Sequence, residues 1–250
     1  MSVLPSDDPS AGFKNKGPSG PSMDRYDPDR VMETLKEGNR RYVRSGAFSG
    51  DVSHTARVRA ADEGQHPFAA VVSCSDSRVI PEAVFSAGIG DLFVIRSAGN
   101  IVDGCTLGSL EYAVGHMGVR VVVVMGHTCC GAIAEALKGL HEGHSIEIID
   151  GIRACIGGER DPVEASRLNV LNSVRLISED LSARHDIVVA GAIYDVRDGT
   201  VEFLEERFPS SSHERPGIGP RPLHSLALRA GTAIRPWLAW SRDGWASLTA

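Results

Sequence analysis

Two short clusters of polar side chains follow apolar runs in this chain of 250 residues. The first, VVSCSDSR, places Cys74, Asp76 and Arg78 on alternate residues where a predicted strand ends. The second, MGHTCCG, places His127 and Cys130 so that both can face one site at a strand-to-helix turn. Two thiolates and one imidazole are a typical zinc ligand set, because soft sulfur ligands select zinc over magnesium or calcium. We therefore expect zinc on Cys74, His127 and Cys130.

Three protein ligands would leave the fourth position of a tetrahedral zinc free, which is typical of a catalytic rather than a structural site. Such a position binds water and lowers its pKa towards ~7. Asp76 can accept a hydrogen bond from that water, and Arg78 can hold the carboxylate in a bidentate pair that keeps it off the metal. Cys129 is a rival ligand to Cys130. The turn favours Cys130, and we expect Cys129 to point into the core.

Predicted strands and helices alternate along the chain and position both clusters. The predicted strands cover residues 66–74, 91–100, 119–127 and 186–196, followed by a short antiparallel strand in TVEFLEE. The predicted helices cover residues 28–45, 105–118, the segment after 131, and 163–185. This alternation indicates an α/β fold: a central sheet of four parallel strands and one antiparallel edge strand, flanked by helices. Sites in such sheets lie at the carboxyl ends of strands, where the strand order reverses.

Composition divides the chain into three segments. Residues 1–22, rich in Pro, Ser, Gly and Asp, are expected to form a disordered arm. Residues 23–208 are expected to form the catalytic domain. Residues 209–250 contain all three tryptophans and form a C-terminal tail, which either docks on the domain or engages a partner.

The charge and cysteine content exclude several classes of protein. A net charge of -6 and a pI near 5.8 argue against a nucleic-acid-binding protein. No apolar run approaches the ~20 residues that span a bilayer, and the first residues lack the apolar core of a secretory signal. Five cysteines, an odd number, do not suggest a disulfide framework. We expect a reducing compartment, the cytoplasm.

The motifs CSDSR and HTCCG closely resemble the signatures of the β-class carbonic anhydrases. The resemblance extends over roughly residues 28–207, including GDLFVIRSAGN, GSLEYAVGHMGV and GAIYDVRDGTV. It implies reversible hydration of carbon dioxide to bicarbonate and a proton by zinc-bound hydroxide, with Asp76 and Arg78 as the catalytic pair. It also implies a homodimer or larger homo-oligomer, in which the N-terminal helix embraces a second subunit, with no nucleic acid or membrane partner.

Further family matches concern the substrate pocket. The resemblance implies that Gln65, Phe93 and Tyr112 line the carbon dioxide pocket, partly from the neighbouring subunit. Tyr112 and His116, four residues apart on one predicted helix face, match residues proposed to pass protons out of the site. An exposed or interfacial histidine without such a role is the alternative for His116.

The chain departs from the family pattern at a few positions. Val71 stands where some members carry a tryptophan that helps build a noncatalytic bicarbonate site. We therefore expect no bicarbonate inhibition of that type, and an open Asp76–Arg78 pair near neutral pH. Ser97 and Ala98 replace the asparagine and valine of many relatives, which alters the pocket shape.

Three other functions remain open from the sequence. The first is hydrolysis of carbon disulfide or carbonyl sulfide on the same scaffold, which shares the metal ligands. The second is a noncatalytic zinc-binding protein, against which the presence of Asp76 and Arg78 argues. The third is a thiol nucleophile with Cys130 and His127 as a dyad, whose activity would survive removal of the metal.

Overall fold

The computed structural model describes residues 26–139, 143–182 and 185–208. The expected N-terminal arm, residues 1–22, and the expected tail, residues 209–250, lie outside these ranges. The helices are α1 (Pro28–Ser45), α2 (His54–Glu63), α3 (Pro81–Val84), α4 (Gly104–Met117), α5 (Gly131–Lys138), α6 (Ile146–Ile156) and α7 (Pro162–Ile177). The strands are β1 (Ala69–Cys74), β2 (Leu92–Ser97), β3 (Val121–His127), β4 (Val188–Tyr194) and β5 (Val201–Phe208). None of the helices in these ranges is both long and apolar enough to cross a membrane.

The five strands form one sheet in the order β2-β1-β3-β4-β5. Strands β2, β1, β3 and β4 are parallel, and β5 pairs with β4 in the antiparallel direction. The predicted fold class is thus confirmed. Strand order reverses at β1, because the chain adds β2 on one side of β1 and then crosses to place β3 on the other side. The carboxyl ends of β1 and β3 therefore flank the crevice in which ligands of α/β sheets usually bind.

Helices cover both faces of the sheet, which explains why β1 and β3 begin with unbroken runs of alanine and valine. Every residue of these two strands is buried, as expected for strands packed on both sides. One face packs against α1 through Val31, Met32 and Leu35. The other packs against α4 and α7, with Leu110 and Val170 among the buried residues. A third cluster, between α5 and α6, contains two cysteines, Cys74 and Cys130.

Aspartate caps set the starts of three helices. The side chain of Asp27 accepts a hydrogen bond from the backbone N–H of Arg30 at 3.0 Å. Asp103 accepts one from Thr106 at 2.7 Å, and Asp161 caps α7 in the same way. Each cap satisfies a helix N–H group that would otherwise lack a partner, typically stabilising the helix by about 1 kcal/mol. The predicted start of the first helix at residue 28 agrees with this cap.

Among the predicted elements that end earlier in the structure than the sequence indicates, one strand and one helix differ most. The strand predicted for 91–100 stops at Ser97, because Gly99 (φ 65) and Asn100 (φ 45) are left-handed and turn the chain away. The helix predicted for 163–185 changes at residue 178 into a π-helical turn, Ser178–Ser182. The first of these differences matters for the site, since the left-handed turn touches a candidate metal ligand.

Candidate metal centre

The three predicted metal ligands come from two neighbouring strand ends and one helix start. Cys74 is the last residue of β1, and His127 is the last residue of β3. These strands pair in parallel, so their carboxyl ends meet at the same edge of the sheet. Cys130 precedes α5 as its N-cap residue. The turn between His127 and Cys130 brings the chain back over the end of β1.

The structure places the ligand atoms of Cys74, His127 and Cys130 within 4.8 Å of one another. The two sulfur atoms are 4.0 Å apart. All three residues are buried, with 5%, 1% and 5% of their surfaces exposed. Two sulfurs and an imidazole nitrogen at this spacing suit a tetrahedral ion that prefers soft ligands, as zinc does.

The His127 ring is oriented for coordination. Its Nδ1 lies 2.9 Å from the carbonyl oxygen of Thr128. Because a carbonyl can only accept, Nδ1 carries the proton and Nε2 keeps a free lone pair. This Nε2 is buried and has no hydrogen-bond partner within the described ranges. A buried polar atom without a partner is costly, and a metal ion bound at this point would satisfy it.

The thiols of Cys74 and Cys130 lie within hydrogen-bonding distance of each other. The bond from the Cys130 thiol lowers the pKa of Cys74, against the opposing effect of burial. The backbone N–H groups of Asp76 and Gly99 stabilise the same thiolate. The bond to Cys74 and burial raise the pKa of Cys130. A cation between the sulfurs would replace the shared proton and favour both thiolates.

Asp76 is held beside the ligands by Arg78. The guanidinium donates two parallel hydrogen bonds, from Nε to Oδ1 at 2.9 Å and from Nη2 to Oδ2 at 2.6 Å. These bonds hold the pKa of Asp76 well below its usual range. Oδ2 of Asp76 lies 4.0 Å from Nε2 of His127. The carboxylate therefore faces the ligand cluster while Arg78 occupies both of its oxygens.

A second arginine supports this arrangement and was not assigned a role from the sequence. Arg96 donates from Nε to the carbonyl of Cys74 at 3.1 Å and from Nη2 to the carbonyl of Asp76 at 2.7 Å. It thereby ties the end of β2 to the segment that carries the cysteine and the aspartate. The available signal was a charged residue within the otherwise apolar strand LFVIRS.

The expectation that Cys129 points into the core is wrong. Cys129 is exposed and adopts a left-handed conformation with φ 57. This conformation reverses the chain between β3 and α5, so the side chain turns outward. The carbonyl of Cys129 instead accepts a hydrogen bond from Nη2 of Arg78 at 3.0 Å. The backbone of Cys129 thus positions Arg78.

The predicted pocket residues form a separate group. The rings of Phe93 and Tyr112 lie 6.4 Å apart, and those of Tyr112 and His116 lie 5.0 Å apart. Phe93 pairs in register with Ala70, near the amino end of β1. Cys74 ends the same strand, about 13 Å farther along at the usual rise per residue. The structure therefore does not bring this aromatic group into the metal centre of its own chain.

Gln65 also lies away from the metal centre of its own chain. It is exposed and precedes β1, whereas Cys74 ends that strand. A strand of this length separates the two ends of the sheet by about 20 Å. Within one chain Gln65 therefore cannot contact a molecule bound at Cys74.

The sequence and the fold are both similar to those of carbonic anhydrases. The family model for carbonic anhydrase matches residues 69–201. Carbonic anhydrase 2 of Mycobacterium tuberculosis is 33% identical over 195 residues, covering 71% of this chain and 93% of that protein. The carbonic anhydrase of Mycolicibacterium smegmatis is 34% identical over 201 residues, covering 72% and 95%.

A solved structure gives the same result. The β-carbonic anhydrase CafA of Aspergillus fumigatus is similar with a TM-score of 0.55 and 25% identity, covering 74% of this chain and 92% of that one. The resemblance noted in the motifs is thus confirmed by full-length relatives and by the fold. This chain belongs to the β-carbonic anhydrase family.

Proposed function

We propose that this protein is a zinc-dependent carbonic anhydrase that interconverts carbon dioxide and bicarbonate. One observation carries the proposal: a buried cluster of Cys74, His127 and Cys130 lies next to a carboxylate held by a guanidinium. A structural zinc site would be closed by four ligands and has no need of the Asp76–Arg78 pair. The relatives, which are named carbonic anhydrases, support the same reaction.

Cys74, His127 and Cys130 would hold the zinc. Their chemistry fits that ion, because the cluster offers two sulfur atoms and one unpartnered imidazole nitrogen in a buried site. When bound, zinc would act as a Lewis acid that lowers the pKa of water to near neutrality.

Asp76 would orient the reacting molecule. Its Oδ2 faces the ligand cluster and can accept a hydrogen bond from water or bicarbonate held there. Arg78 keeps the carboxylate ionised. It also keeps the carboxylate from binding the metal itself, because both carboxylate oxygens are already hydrogen-bonded. A fixed acceptor beside the reacting oxygen lowers the entropy cost of reaching the reactive orientation.

A dimer would complete the substrate pocket. Tyr112 is 51% exposed although it is a large aromatic residue, and it contacts Phe93 on the edge strand β2. Because Gln65 and this aromatic group cannot reach the metal centre of their own chain, we propose that they line the pocket of a neighbouring subunit. His116, exposed next to Tyr112, would pass protons from that pocket to solvent.

The test is stopped-flow hydration of carbon dioxide across about pH 6.5 to 9, with the zinc content measured on the same sample. We expect fast hydration, about one zinc per chain, and loss of both in Cys74→Ala. Full zinc occupancy without hydration at any pH would overturn the proposal.

Hydrolysis of carbon disulfide or carbonyl sulfide is not favoured, since the matching relatives are carbonic anhydrases. Turnover of both gases beside carbon dioxide would check this directly.

A reducing compartment, the cytoplasm, is proposed as the location because all five cysteines are free thiols.

A further inference from the structure

Helix α7 carries a buried polar stripe that the proposed reaction does not use. Ser166, Asn169 and Ser173 lie at helical spacing on one face, and only 3%, 3% and 2% of their surfaces are exposed. Buried polar side chains are costly unless they are hydrogen-bonded. Their partners are therefore informative, and we call these three residues the α7 polar stripe.

The stripe bonds to backbone carbonyls around the metal centre. Nδ2 of Asn169 donates to the carbonyl of Gly99 at 2.8 Å. Oγ of Ser173 lies 3.4 Å from the carbonyl of Asn100. Both carbonyls belong to the left-handed turn that follows β2. Asn169 makes the shortest of these contacts and is the strongest link.

Ser166 contributes less to these contacts than Asn169 does. Its Oγ lies 3.4 Å from the carbonyl of His127. However, its shorter bond, at 2.9 Å, goes to the carbonyl of Pro162 within the helix. A hydroxyl has one proton to donate, so the contact with His127 is secondary.

Gly99 connects Asn169 to a metal ligand. The backbone N–H of Gly99 donates to Sγ of Cys74 at 3.3 Å, while its carbonyl accepts from Asn169. Gly99 has φ 65, and a Cβ there would lie 2.8 Å from Cδ1 of Ile152. The peptide is thus closely packed on one side and held by a hydrogen bond on the other.

We propose that Asn169 is a positioning residue for the metal centre. It fixes Gly99 so that the Gly99 N–H stays on the sulfur of Cys74. An N–H donor on a ligating thiolate withdraws charge from the sulfur and fixes its orientation, and loss of such outer contacts typically weakens metal binding 10- to 100-fold. The inference rests on the proposed zinc site and adds a residue from a distant helix to it.

The experiment uses the full-length protein and the variants Asn169→Leu and Asn169→Ser, with Asn172→Leu as the matched control. Asn172 lies on the same helix, and its side chain bonds only to Arg175 among the described residues, at 3.0 Å. Zinc affinity is measured by competition with a chromophoric chelator. The thiolate-to-metal absorption band is recorded after substitution with cobalt.

We expect about 10-fold weaker zinc binding and a shifted cobalt band in both Asn169 variants, and neither change in Asn172→Leu. A residue that only supports folding would lower the stability of the metal-free protein but leave the affinity and the band of the folded protein unchanged. Unchanged affinity and band in a folded Asn169 variant would overturn the inference.

A measurement on the wild-type protein covers the case in which neither variant folds. After loading with an NMR-active cadmium isotope, the Gly99 amide proton should show a scalar coupling to the metal through the N–H···S bond. Absence of this coupling would overturn the inference. If the wild-type protein bound neither zinc nor cadmium, the proposed function itself would be overturned. That result differs from normal metal binding that is unchanged in the Asn169 variants, which would overturn only the role of Asn169.

Discussion

Arg78 and Asp76 form a bidentate pair in which the guanidinium also reaches the carbonyl of Cys129. Three hydrogen bonds from one side chain thus fix the carboxylate relative to the turn before Cys130. The side chain of Asp76 is 17% exposed and that of Arg78 is 51% exposed. The pair lies at the mouth of the site, with the carboxylate on the inner side.

Replacement of Arg78 by lysine should therefore impair catalysis without loss of the metal. Lysine keeps the charge but cannot form the planar bidentate contact, so Asp76 would be free to turn towards the ligand cluster. We expect kcat/KM for hydration to fall about 10- to 100-fold with zinc content unchanged. Arg175→Lys, which alters a surface pair with Glu179, is the control. A full rate in Arg78→Lys would contradict the role given to the pair.

Removal of one sulfur ligand should abolish zinc binding. Cys130→Ser is expected to lose stoichiometric zinc, whereas Cys105→Ser, which changes an exposed thiol, should keep it. Because a bound ion stabilises only the folded state, a strong chelator should lower the melting temperature of the wild type and of Cys105→Ser. The melting temperature of Cys130→Ser should not respond. A chelator response in Cys130→Ser would show that other residues hold the metal.

Close packing between β3 and α7 depends on Gly126. A Cβ at this position would lie 2.6 Å from Cγ2 of Val170 and 3.2 Å from Cδ1 of Ile193. Gly126→Ala should therefore lower the free energy of unfolding by about 1–3 kcal/mol, as overpacked cores do. Gly151→Ala is the control, since a Cβ there meets nothing within 4 Å in helix α6. Urea denaturation of both variants measures the difference, and equal stability would refute the packing argument.

An acidic residue at Tyr112 should disrupt the proposed subunit contact. Tyr112→Glu places a charge on the exposed aromatic group beside Phe93, which would be costly to bury between subunits. We expect a shift towards monomer in sedimentation velocity and a matching loss of hydration rate. Val163→Glu, at an apolar residue that is 41% exposed on α7, should keep the wild-type assembly. If Tyr112→Glu sedimented as the wild type does, the interface would have to lie elsewhere.

The change of kcat/KM for hydration with pH should reflect the ionisation of a single group. The pKa of Asp76 is held well below its usual range by Arg78, so this carboxylate stays ionised throughout the neutral range. It adds no second protonation step to the rate profile. The slope of log kcat/KM against pH should therefore not exceed about one. A slope near two would indicate that the pair opens as the pH falls.

Several parts of the fold that follow simple periodicity were predicted, although α6, with Ile149, Ile152 and Ile156 buried at helical spacing, was not. Strand β3, whose first four residues are valine, is buried on both faces, and its boundaries were close to those predicted. Helix α1 was predicted from its apolar spacing and is capped by Asp27. Helix α2 was not predicted, because it buries only Ala56 and has no apolar stripe.

The parts that depend on backbone conformation could not be predicted. The sequence does not show that Cys129 is left-handed, so the direction of its side chain was wrongly assigned. Likewise, Asn169 bonds to a carbonyl far away in the chain, and no residue pattern identifies such a partner. Its only signal was its helical spacing with Ser166 and Ser173 in the α7 polar stripe.

The parallel pairing of β1 and β3 has a consequence for biosynthesis. Cys74 and His127 are adjacent in the sheet but are separated in the chain by β2 and α4. A nascent chain that has not yet completed β3 therefore offers only one of the three ligands. Contacts between residues that are far apart in the chain form late in folding. Binding of the ion would therefore follow assembly of the sheet. Only chains whose strands have assembled in the native order would then bind the metal.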